Sequence, residues 1–309
     1  MKEAKAAALQ ELRPDWHREG GKCNEFKRES EYSSAFANNT PNPINLLRNM
    51  QVFIFIFALL IIIILLYAAL KKKASLPQPT VQTDRQILQL HVLFYQRLSN
   101  EEKIRFEESL QKFLQKVRIT GVKTNVEDTD RIFVAAAAII PIFAFKGWEY
   151  RNIHEVLLYP GSFNEDYQVE GQGRDVLGMV GDGPIQNVML LSQYDLRKGF
   201  LNHTDKSNTG IHEFVHLIDK TDGATDGLPE ALLPHKYAVP WLKRIHGEIQ
   251  GIQLGDSDIN PYGAINEGEF LAVAAEYFFE QPALMQQKHP ALFDMLKQVF
   301  TPTRNAEPN

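Results

Sequence analysis

The amino-acid sequence predicts an α+β domain that is preceded by a single transmembrane helix. Three observations lead to this fold class. Val52–Leu70 is an uninterrupted apolar run, helical apolar periodicity occurs on both sides of a short strand-rich region, and His212 and His216 lie one helical turn apart in an apolar segment. With 309 residues, of which 44% are hydrophobic and 23% charged, the chain otherwise has ordinary globular composition.

The charge and the cysteine content exclude several classes of protein. The formal net charge of −5 provides no basic surface, so we expect no direct nucleic-acid binding. Cys23 is the single cysteine, which excludes an intramolecular disulfide and a cysteine-rich zinc finger. Any metal ion would therefore have nitrogen and oxygen ligands.

Val52–Leu70 is predicted to anchor the protein in a membrane. The run lacks charge, proline and glycine, and a helix of this length spans roughly 30 Å, the thickness of the hydrocarbon core of a bilayer. A buried core helix and a signal peptide are the alternatives, but Lys71–Lys73 follow directly and no convincing cleavage site is present. By the positive-inside rule these lysines place the C-terminal domain in the cytoplasm. Met50 is an alternative start that would put the anchor at the extreme N-terminus.

Composition divides the rest of the chain. Residues 1–51 are polar, with Asn and Pro clustered in NNTPNPIN, and are predicted to be largely disordered. Residues 71–84 are predicted to be a basic, proline-containing linker, residues 85–300 the soluble domain, and residues 301–309 a disordered tail.

The soluble domain begins with three predicted helices. Apolar periodicity indicates helices at Gln86–Leu98, Glu101–Val117 and Arg131–Phe145. The third is strongly apolar, but it is too short and too interrupted by Pro141 to be a second membrane span. We therefore predict that it is a buried core helix.

A small sheet and further helices follow. Short strands are predicted at Ile153–Tyr159, Val176–Val180 and Ile185–Leu191, and a Gly-Asp-Gly-Pro turn separates the last two. Helices, a small sheet and helices again give an α+β arrangement. The later helices are predicted at Thr209–Lys220, His235–Gln250, Ala264–Glu280 and Ala291–Phe300.

The segment HEFVH at residues 212–216 indicates metal-dependent chemistry. His212 and His216 stand at i and i+4 on one helical face, so both imidazoles can reach one ion at about 2.0–2.1 Å. Glu213 lies beside His212 and can accept a proton from water that bound zinc makes nucleophilic near neutral pH. Asp219 could orient a ligand imidazole or cap the end of the helix. The pattern predicts a zinc peptidase; the alternative is an amphipathic helix whose histidines bind nothing.

The third metal ligand is left open by the sequence pattern. A catalytic zinc usually has three protein ligands and one open position. Periodicity cannot choose among the glutamates of the predicted helix Ala264–Glu280, because Glu269 and Glu276 are seven residues apart and share a face. Aspartates in the turn TDGATDGLP are a further alternative. The candidates are Glu267, Glu269, Glu276, Glu280, Asp222 and Asp226.

Two stretches of the sequence carry a family resemblance. HEFVHLID with the following DGLP, and the later YGAINEGEFLAVAAEYFFE, resemble the Mlc titration factor A family of zinc peptidases, also called M90 or glucose-regulated metallopeptidases. The second stretch is also similar to the active-site segment of the anthrax lethal factor protease domain. There a tyrosine precedes the glutamate ligand by seven residues, as Tyr262 precedes Glu269. The resemblance covers about residues 85–300.

The resemblance implies a zincin-like α+β fold with one Zn²⁺ ion and assigns roles to individual residues. It implies that Glu213 is the general base, that Tyr262 donates a hydrogen bond to the developing oxyanion, and that Glu276 has a supporting role. A peptide or protein substrate would lie along an edge strand, for which we predict Ile185–Leu191. The implied zinc ligands are His212, His216 and Glu269.

Two functions are expected from these features. The first is a membrane-anchored zinc peptidase in which Glu213 passes the proton to the leaving amine. The second is a binding protein with weak or no peptidase activity that sequesters a partner, because the family takes its name from capturing a transcriptional repressor. The N-terminal anchor departs from the family, whose typical member is a soluble cytoplasmic protein.

Overall fold

The computed structural model describes residues 51–52, 54–63, 85–164, 166–233 and 237–301. The chain divides into two compact units, Met1–Ser75 and Leu76–Asn309. The predicted disordered segment 1–51, linker 71–84 and tail 301–309 lie outside the described residues, apart from residues 51 and 301.

In the first unit, residues 51, 52 and 54–63 are helical. Large apolar side chains on this helical stretch are exposed, including Phe55 at 76% and Phe57 at 67%. The remainder of the predicted membrane span, residues 64–70, lies outside the described residues. Among the helices that the structure does describe, none is both long and apolar enough to cross a membrane.

The described residues of the second unit form ten α-helices and four β-strands. The helices are α1 Arg85–His91, α2 Leu93–Gln96, α3 Asn100–Lys116, α4 Asp128–Ile142, α5 Gln193–Leu201, α6 Thr209–Asp219, α7 Ala238–Leu254, α8 Glu267–Glu280, α9 Pro282–Lys288 and α10 Pro290–Phe300. The strands are β1 Arg118–Gly121, β2 Glu155–Tyr159, β3 Gly178–Val180 and β4 Val188–Ser192. This helix-rich arrangement with a small sheet confirms the α+β part of the predicted fold class.

The first helices follow their local sequence signals. The predicted helix Gln86–Leu98 is two helices, because Val92 has extended backbone angles (φ −106°, ψ 94°). α3 begins after Ser99, whose hydroxyl accepts a hydrogen bond from the backbone N–H of Glu102, while the Glu102 carboxylate accepts one from the backbone N–H of Ser99. This reciprocal cap fixes the start of a helix that was predicted to within one residue.

α4 is the predicted buried core helix, and its residues from Ile132 to Ala138 are completely inaccessible. It also contains Asp130, a fully buried carboxylate. Arg197 of α5 donates to both Asp130 oxygens at 2.6 and 2.9 Å, Gln193 Nε2 donates at 2.7 Å, and the Glu127 backbone N–H donates at 2.8 Å. These bonds satisfy the buried charge and tie α4 to α5, a helix that the sequence pattern did not predict.

The four strands form one mixed sheet in the order β1-β2-β4-β3. β2 is parallel to both of its neighbours, and β3 is antiparallel to β4, with Met179 opposite Leu190. β1 was not predicted. The strand predicted at Ile185–Leu191 is β4, but its predicted position at the edge of the sheet is wrong. After a short 3₁₀ turn the chain pairs between β2 and β3, so β4 is interior. β1 and β3 are the two edge strands of the described sheet.

α6 carries the HEFVH segment and packs against α4, α8 and the edge strand β3. Phe214 of α6 and Tyr277 of α8 are among the large side chains buried in the core. The polar side chains of α6 therefore lie at a junction between the helical core and the edge of the sheet.

Candidate metal centre

α6 begins at an asparagine cap. The Asn208 side-chain oxygen accepts a hydrogen bond from the backbone N–H of Ile211 at 3.2 Å, which satisfies one of the free donors at the start of the helix. The helix ends at Asp219, one residue before the predicted end. His212 and Glu213 are both buried on this helix.

α8 faces α6 and is capped in the same way. The Asn266 side-chain oxygen accepts from the backbone N–H of Glu269 at 2.8 Å. The prediction started this helix at Ala264, but Asn266 is extended (φ −161°, ψ 177°), so the helix begins at Glu267. Tyr262 lies just before it, in a 3₁₀ turn at Pro261–Ala264.

Three side chains converge between the two helices. The Nε2 atoms of His212 and His216 lie 3.1 Å apart. Glu269 Oε2 lies 3.0 Å from Nε2 of His212 and 3.3 Å from Nε2 of His216. One donor atom from each residue falls within 4.8 Å of the others, so in the described part of the chain these three could hold one metal ion. Two imidazole nitrogens and a carboxylate oxygen are a donor set that suits Zn²⁺.

The other candidate ligands have different partners. Glu267 forms a surface ion pair with a histidine of α7 at 2.9 Å, and Glu280 accepts from the cap residue of α6 at 2.9 Å. Asp222 and Asp226 are exposed, and each accepts a backbone N–H two residues ahead in its own turn. Of these candidates, Glu269 is the one that the structure brings to both imidazole Nε2 atoms.

Glu276 contacts His212 from the opposite side of the ring. Its Oε1 accepts a hydrogen bond from His212 Nδ1 at 2.7 Å. Its Oε2 accepts from the backbone N–H of Asn208 at 2.5 Å and from the Ser207 hydroxyl at 3.1 Å. When His212 is neutral, a proton kept on Nδ1 for Glu276 leaves the lone pair of Nε2 free for a metal ion. The carboxylate also lies at the N-terminus of α6, where negative charge is favoured.

Two roles were considered for Asp219, orienting a ligand imidazole and capping the end of the helix. Its Oδ2 accepts the backbone N–H of Gly227 at 2.9 Å, which ties the turn after α6 back to the helix. Its Oδ1 and the Nδ1 atom of His216 are both buried without a hydrogen-bond partner among the described residues. Orientation of the His216 imidazole, one of the two roles considered for Asp219, is therefore not observed. Burial raises the pKa of Asp219 to about 6.

Burial and charge act in opposite directions on the ionisable groups of the cluster. Burial raises the pKa of Glu213, and the adjacent charges of His212 and His216 oppose that shift. Burial disfavours ionisation of Glu269 as well, yet hydrogen bonds from the two histidines lower its pKa to about 2. Glu269 is thus held as an anion, whereas the pKa of Glu213 is raised above its usual value.

The edge strand lies directly against Glu213. A Cβ atom built on Gly178 of β3 would come within 2.5 Å of Glu213 Cγ and 2.6 Å of its Oε1. Residue 178 must therefore be glycine if Glu213 is to keep this position. The sequence analysis did not single out Gly178, although a glycine inside a strand pattern is a known sign of close approach.

Tyr262 stands at the open side of the cluster. It is 50% exposed, and its ring centroid lies 5.9 Å from that of His212. Burial, followed by the negative charges of Glu269 and Glu213, raises the pKa of Tyr262. The phenol therefore keeps its proton at neutral pH and remains a hydrogen-bond donor.

Two histidines and an intervening glutamate on one helix, facing a glutamate of a second helix, define a metallopeptidase-like domain. The chain belongs to the glucose-regulated metallo-peptidase M90 family, whose family model matches residues 67–301. This confirms the family predicted from the two motifs. The family implies a metal ion, and the donor atoms of His212, His216 and Glu269 fit one.

Similar proteins come from several bacteria. The chain is 29% identical to an uncharacterized protein of Synechocystis sp. over 222 residues, which cover 67% of this chain and 79% of that protein. It is 28% identical to Mlc titration factor A of Escherichia fergusonii over 221 residues, 66% of this chain and 80% of that protein. With Mlc titration factor A of Pectobacterium atrosepticum, the identity is 25% over 241 residues, 72% and 88% of the two chains.

The Glu276 contacts predict a specific effect on metal affinity. In Glu276→Gln a single amide oxygen must serve both His212 Nδ1–H and the Asn208 N–H, and one of them then faces an NH₂ group. A metal ion needs His212 with its proton on Nδ1 and the lone pair of Nε2 free, and the variant supports that state less well. We therefore expect Zn²⁺ affinity, measured by competition with a chromophoric chelator, to fall about 10- to 100-fold.

Glu280→Gln is the matched control for this variant. It makes the same change one turn further along α8, where the glutamine oxygen can still accept from the side chain of Asn208. Its Zn²⁺ affinity should stay within about twofold of the unmodified protein. Equal affinities of the Glu276→Gln and Glu280→Gln proteins would show that Glu276 does not control the His212 proton.

Proposed function

We propose that this protein is a zinc-dependent peptidase that hydrolyses peptide bonds. The observation that carries the proposal is the convergence of His212, His216 and Glu269 beside the buried carboxylate of Glu213. The three converging residues would hold one Zn²⁺ ion. When bound there, Zn²⁺ supplies a Lewis acid that activates water and polarises the scissile carbonyl.

Glu213 acts as the general base. Its raised pKa brings the carboxylate closer to neutral pH, where a group can both take up and release a proton efficiently. Its carboxylate accepts a proton from the attacking water and passes it to the leaving amine. The close packing against Gly178 holds the carboxylate in place for both transfers.

Tyr262 and β3 act on the substrate itself. The protonated Tyr262 hydroxyl donates a hydrogen bond to the oxyanion that develops on the substrate carbonyl. The outer edge of β3 offers backbone N–H and C=O groups, which suits pairing with an extended peptide. The chain thus supplies a base, an oxyanion donor and a backbone template around one centre.

The peptidase is proposed to be anchored in a membrane through residues 52–70, with its catalytic unit in the cytoplasm. The apolar run is long enough for a bilayer, and the helical residues within it expose large apolar side chains. The lysines at positions 71–73 supply the charge asymmetry that favours a cytoplasmic C-terminal domain.

A binding role is the second candidate function. Two of the relatives bear the name Mlc titration factor A, which describes proteins that titrate Mlc. A protein that only captures a partner such as a transcriptional repressor does not need a buried carboxylate beside its metal. The intact Glu213 therefore favours the peptidase.

The mechanism predicts that substitutions of Glu213 and Glu269 have different effects on metal binding and on catalysis. In the full-length protein, Glu213→Gln should retain stoichiometric zinc but lose about 10²- to 10⁴-fold in peptide hydrolysis, because the base is removed and the ligands are not. Glu269→Gln should lose both zinc and hydrolysis. Zinc content by mass spectrometry and cleavage of a fluorogenic peptide library measure the two effects. If Glu213→Gln cleaves peptides as fast as the unmodified protein, the peptidase assignment fails.

Substitution of Gly178 should lower the turnover number without loss of bound metal. The methyl group of Gly178→Ala would overlap the Glu213 side chain and move the base, so kcat should fall about tenfold or more while zinc content is unchanged. Gly161→Ala is the control, because a Cβ there meets nothing within 4 Å. Equal kcat values for the two variants would mean that the edge strand does not position Glu213.

The anchor predicts how the protein fractionates. The full-length chain should sediment with membranes, resist extraction at alkaline pH and dissolve in detergent, because the apolar helix is buried in lipid. Deleting residues 52–70 should move the protein to the soluble fraction, whereas deleting residues 1–45 should not. A full-length chain that stays in the soluble fraction would rule the anchor out.

A further inference from the structure

A cavity lies away from the candidate metal centre, between α3, the end of α4 and the segment that follows α4. Its volume is about 280 Å³. The inner wall is apolar and largely aromatic, and includes Phe113, Phe143, Trp148 and Tyr150. None of the residues proposed to bind metal or to take part in hydrolysis lines it.

The mouth of this cavity is positively charged. Arg105, Lys112 and Lys116 lie on one face of α3, and Lys146, in the segment after α4, lines the same cavity. Lys116 is paired with Glu149 at 2.5 Å, which leaves Glu108 as the remaining acid of the lining. Lys112 and Lys146 are exposed and have no ion pair or hydrogen bond within the described residues. An anion at the mouth would therefore meet unpaired cations.

The aromatic wall is held in place before any ligand arrives. The Tyr150 hydroxyl donates to the backbone carbonyl of Ala138 at 2.8 Å. The rings of Phe113 and Tyr150 pack on Phe214 of α6, with centroids 5.6 and 5.4 Å from it. The Arg105 guanidinium lies over the Phe143 ring at 4.0 Å. The cavity is thus a formed site whose wall is continuous with the helix that carries the metal ligands.

The volume limits what the cavity can take. At about 280 Å³ it lies at the small end of the roughly 300–1,000 Å³ typical of ligand pockets, which suits a small molecule. The apolar wall suits a hydrocarbon or a single aromatic ring, and the lysines suit one negative charge at the open end.

We propose that this cavity binds a small amphipathic carboxylate, with its apolar body against Phe113 and Trp148 and its carboxylate between Lys112 and Lys146. The inference goes beyond the proposed peptidase activity and does not depend on it, because no metal ligand takes part. It is tested by binding alone.

The probe is 3-phenylpropionate, added to the full-length protein at low ionic strength. Trp148 lines the cavity, so binding should change its fluorescence, and calorimetry should give the dissociation constant. The neutral alcohol 3-phenylpropanol should bind roughly fivefold more weakly, and high salt should remove this difference. In the double variant Lys112→Gln/Lys146→Gln, the affinity for 3-phenylpropionate should fall to that for the alcohol.

Lys103→Gln/Lys243→Gln is the matched control, because it removes the same charge from lysines outside the cavity. Its affinity for 3-phenylpropionate should equal that of the unmodified protein, and Trp148→Phe should abolish the fluorescence change. The proposal would be overturned if 3-phenylpropionate showed no saturable binding, or if the alcohol bound with the same affinity. It would also be overturned if both double lysine variants lost the same affinity for 3-phenylpropionate, or if the fluorescence change persisted in Trp148→Phe.

Discussion

The contact between Glu276 and His212 is the interaction on which the geometry of the metal centre depends. One carboxylate joins α8 to the first residues of α6 and to an imidazole of the cluster. Glu276 is buried, so its charge is stable there only because both oxygens accept hydrogen bonds. The same bonds set the spacing of the two helices and the tautomer of His212. Glu276 thus contributes both to the packing of α8 against α6 and to the orientation of the His212 ring.

This coupling explains why the sequence could not choose between Glu269 and Glu276. The residues share a face of α8, and two helical turns separate them by about 10.5 Å along the axis. His212 lies between them, with Nε2 towards Glu269 and Nδ1 towards Glu276. Periodicity places both on the face towards α6, but only the tertiary packing says which ring nitrogen each one meets. The family resemblance pointed to Glu269 because it carried that tertiary information.

The apolar spacing around HEFVH was sufficient to predict α6 within one residue, because helical signals are local. The sheet was harder to predict. β1 has only four residues, too few for an alternating pattern, and its strand conformation comes from pairing with the distant β2. β3 pairs with the nearby β4 and lies within the predicted strand Val176–Val180. The order of the strands depends on pairing too, so β4 was taken for an edge strand. A glycine within the predicted strand Val176–Val180 is a sign of close approach, but the sequence does not show that the side chain approaching Gly178 is Glu213.

The partners of the buried carboxylates show why this centre suits a metal. Asp130 is buried with Arg197, a cation that stays protonated, and with further donors that saturate its oxygens, so that contact is purely structural. Glu269 and Glu276 are instead paired with imidazoles. A neutral imidazole can give a lone pair to a metal ion, whereas a guanidinium cannot, so a divalent cation can take over the electrostatic role that protons on the histidines would otherwise fill. At His212 and His216, histidine as the partner leaves a nitrogen that can bind a metal ion, which the arginine beside Asp130 cannot provide.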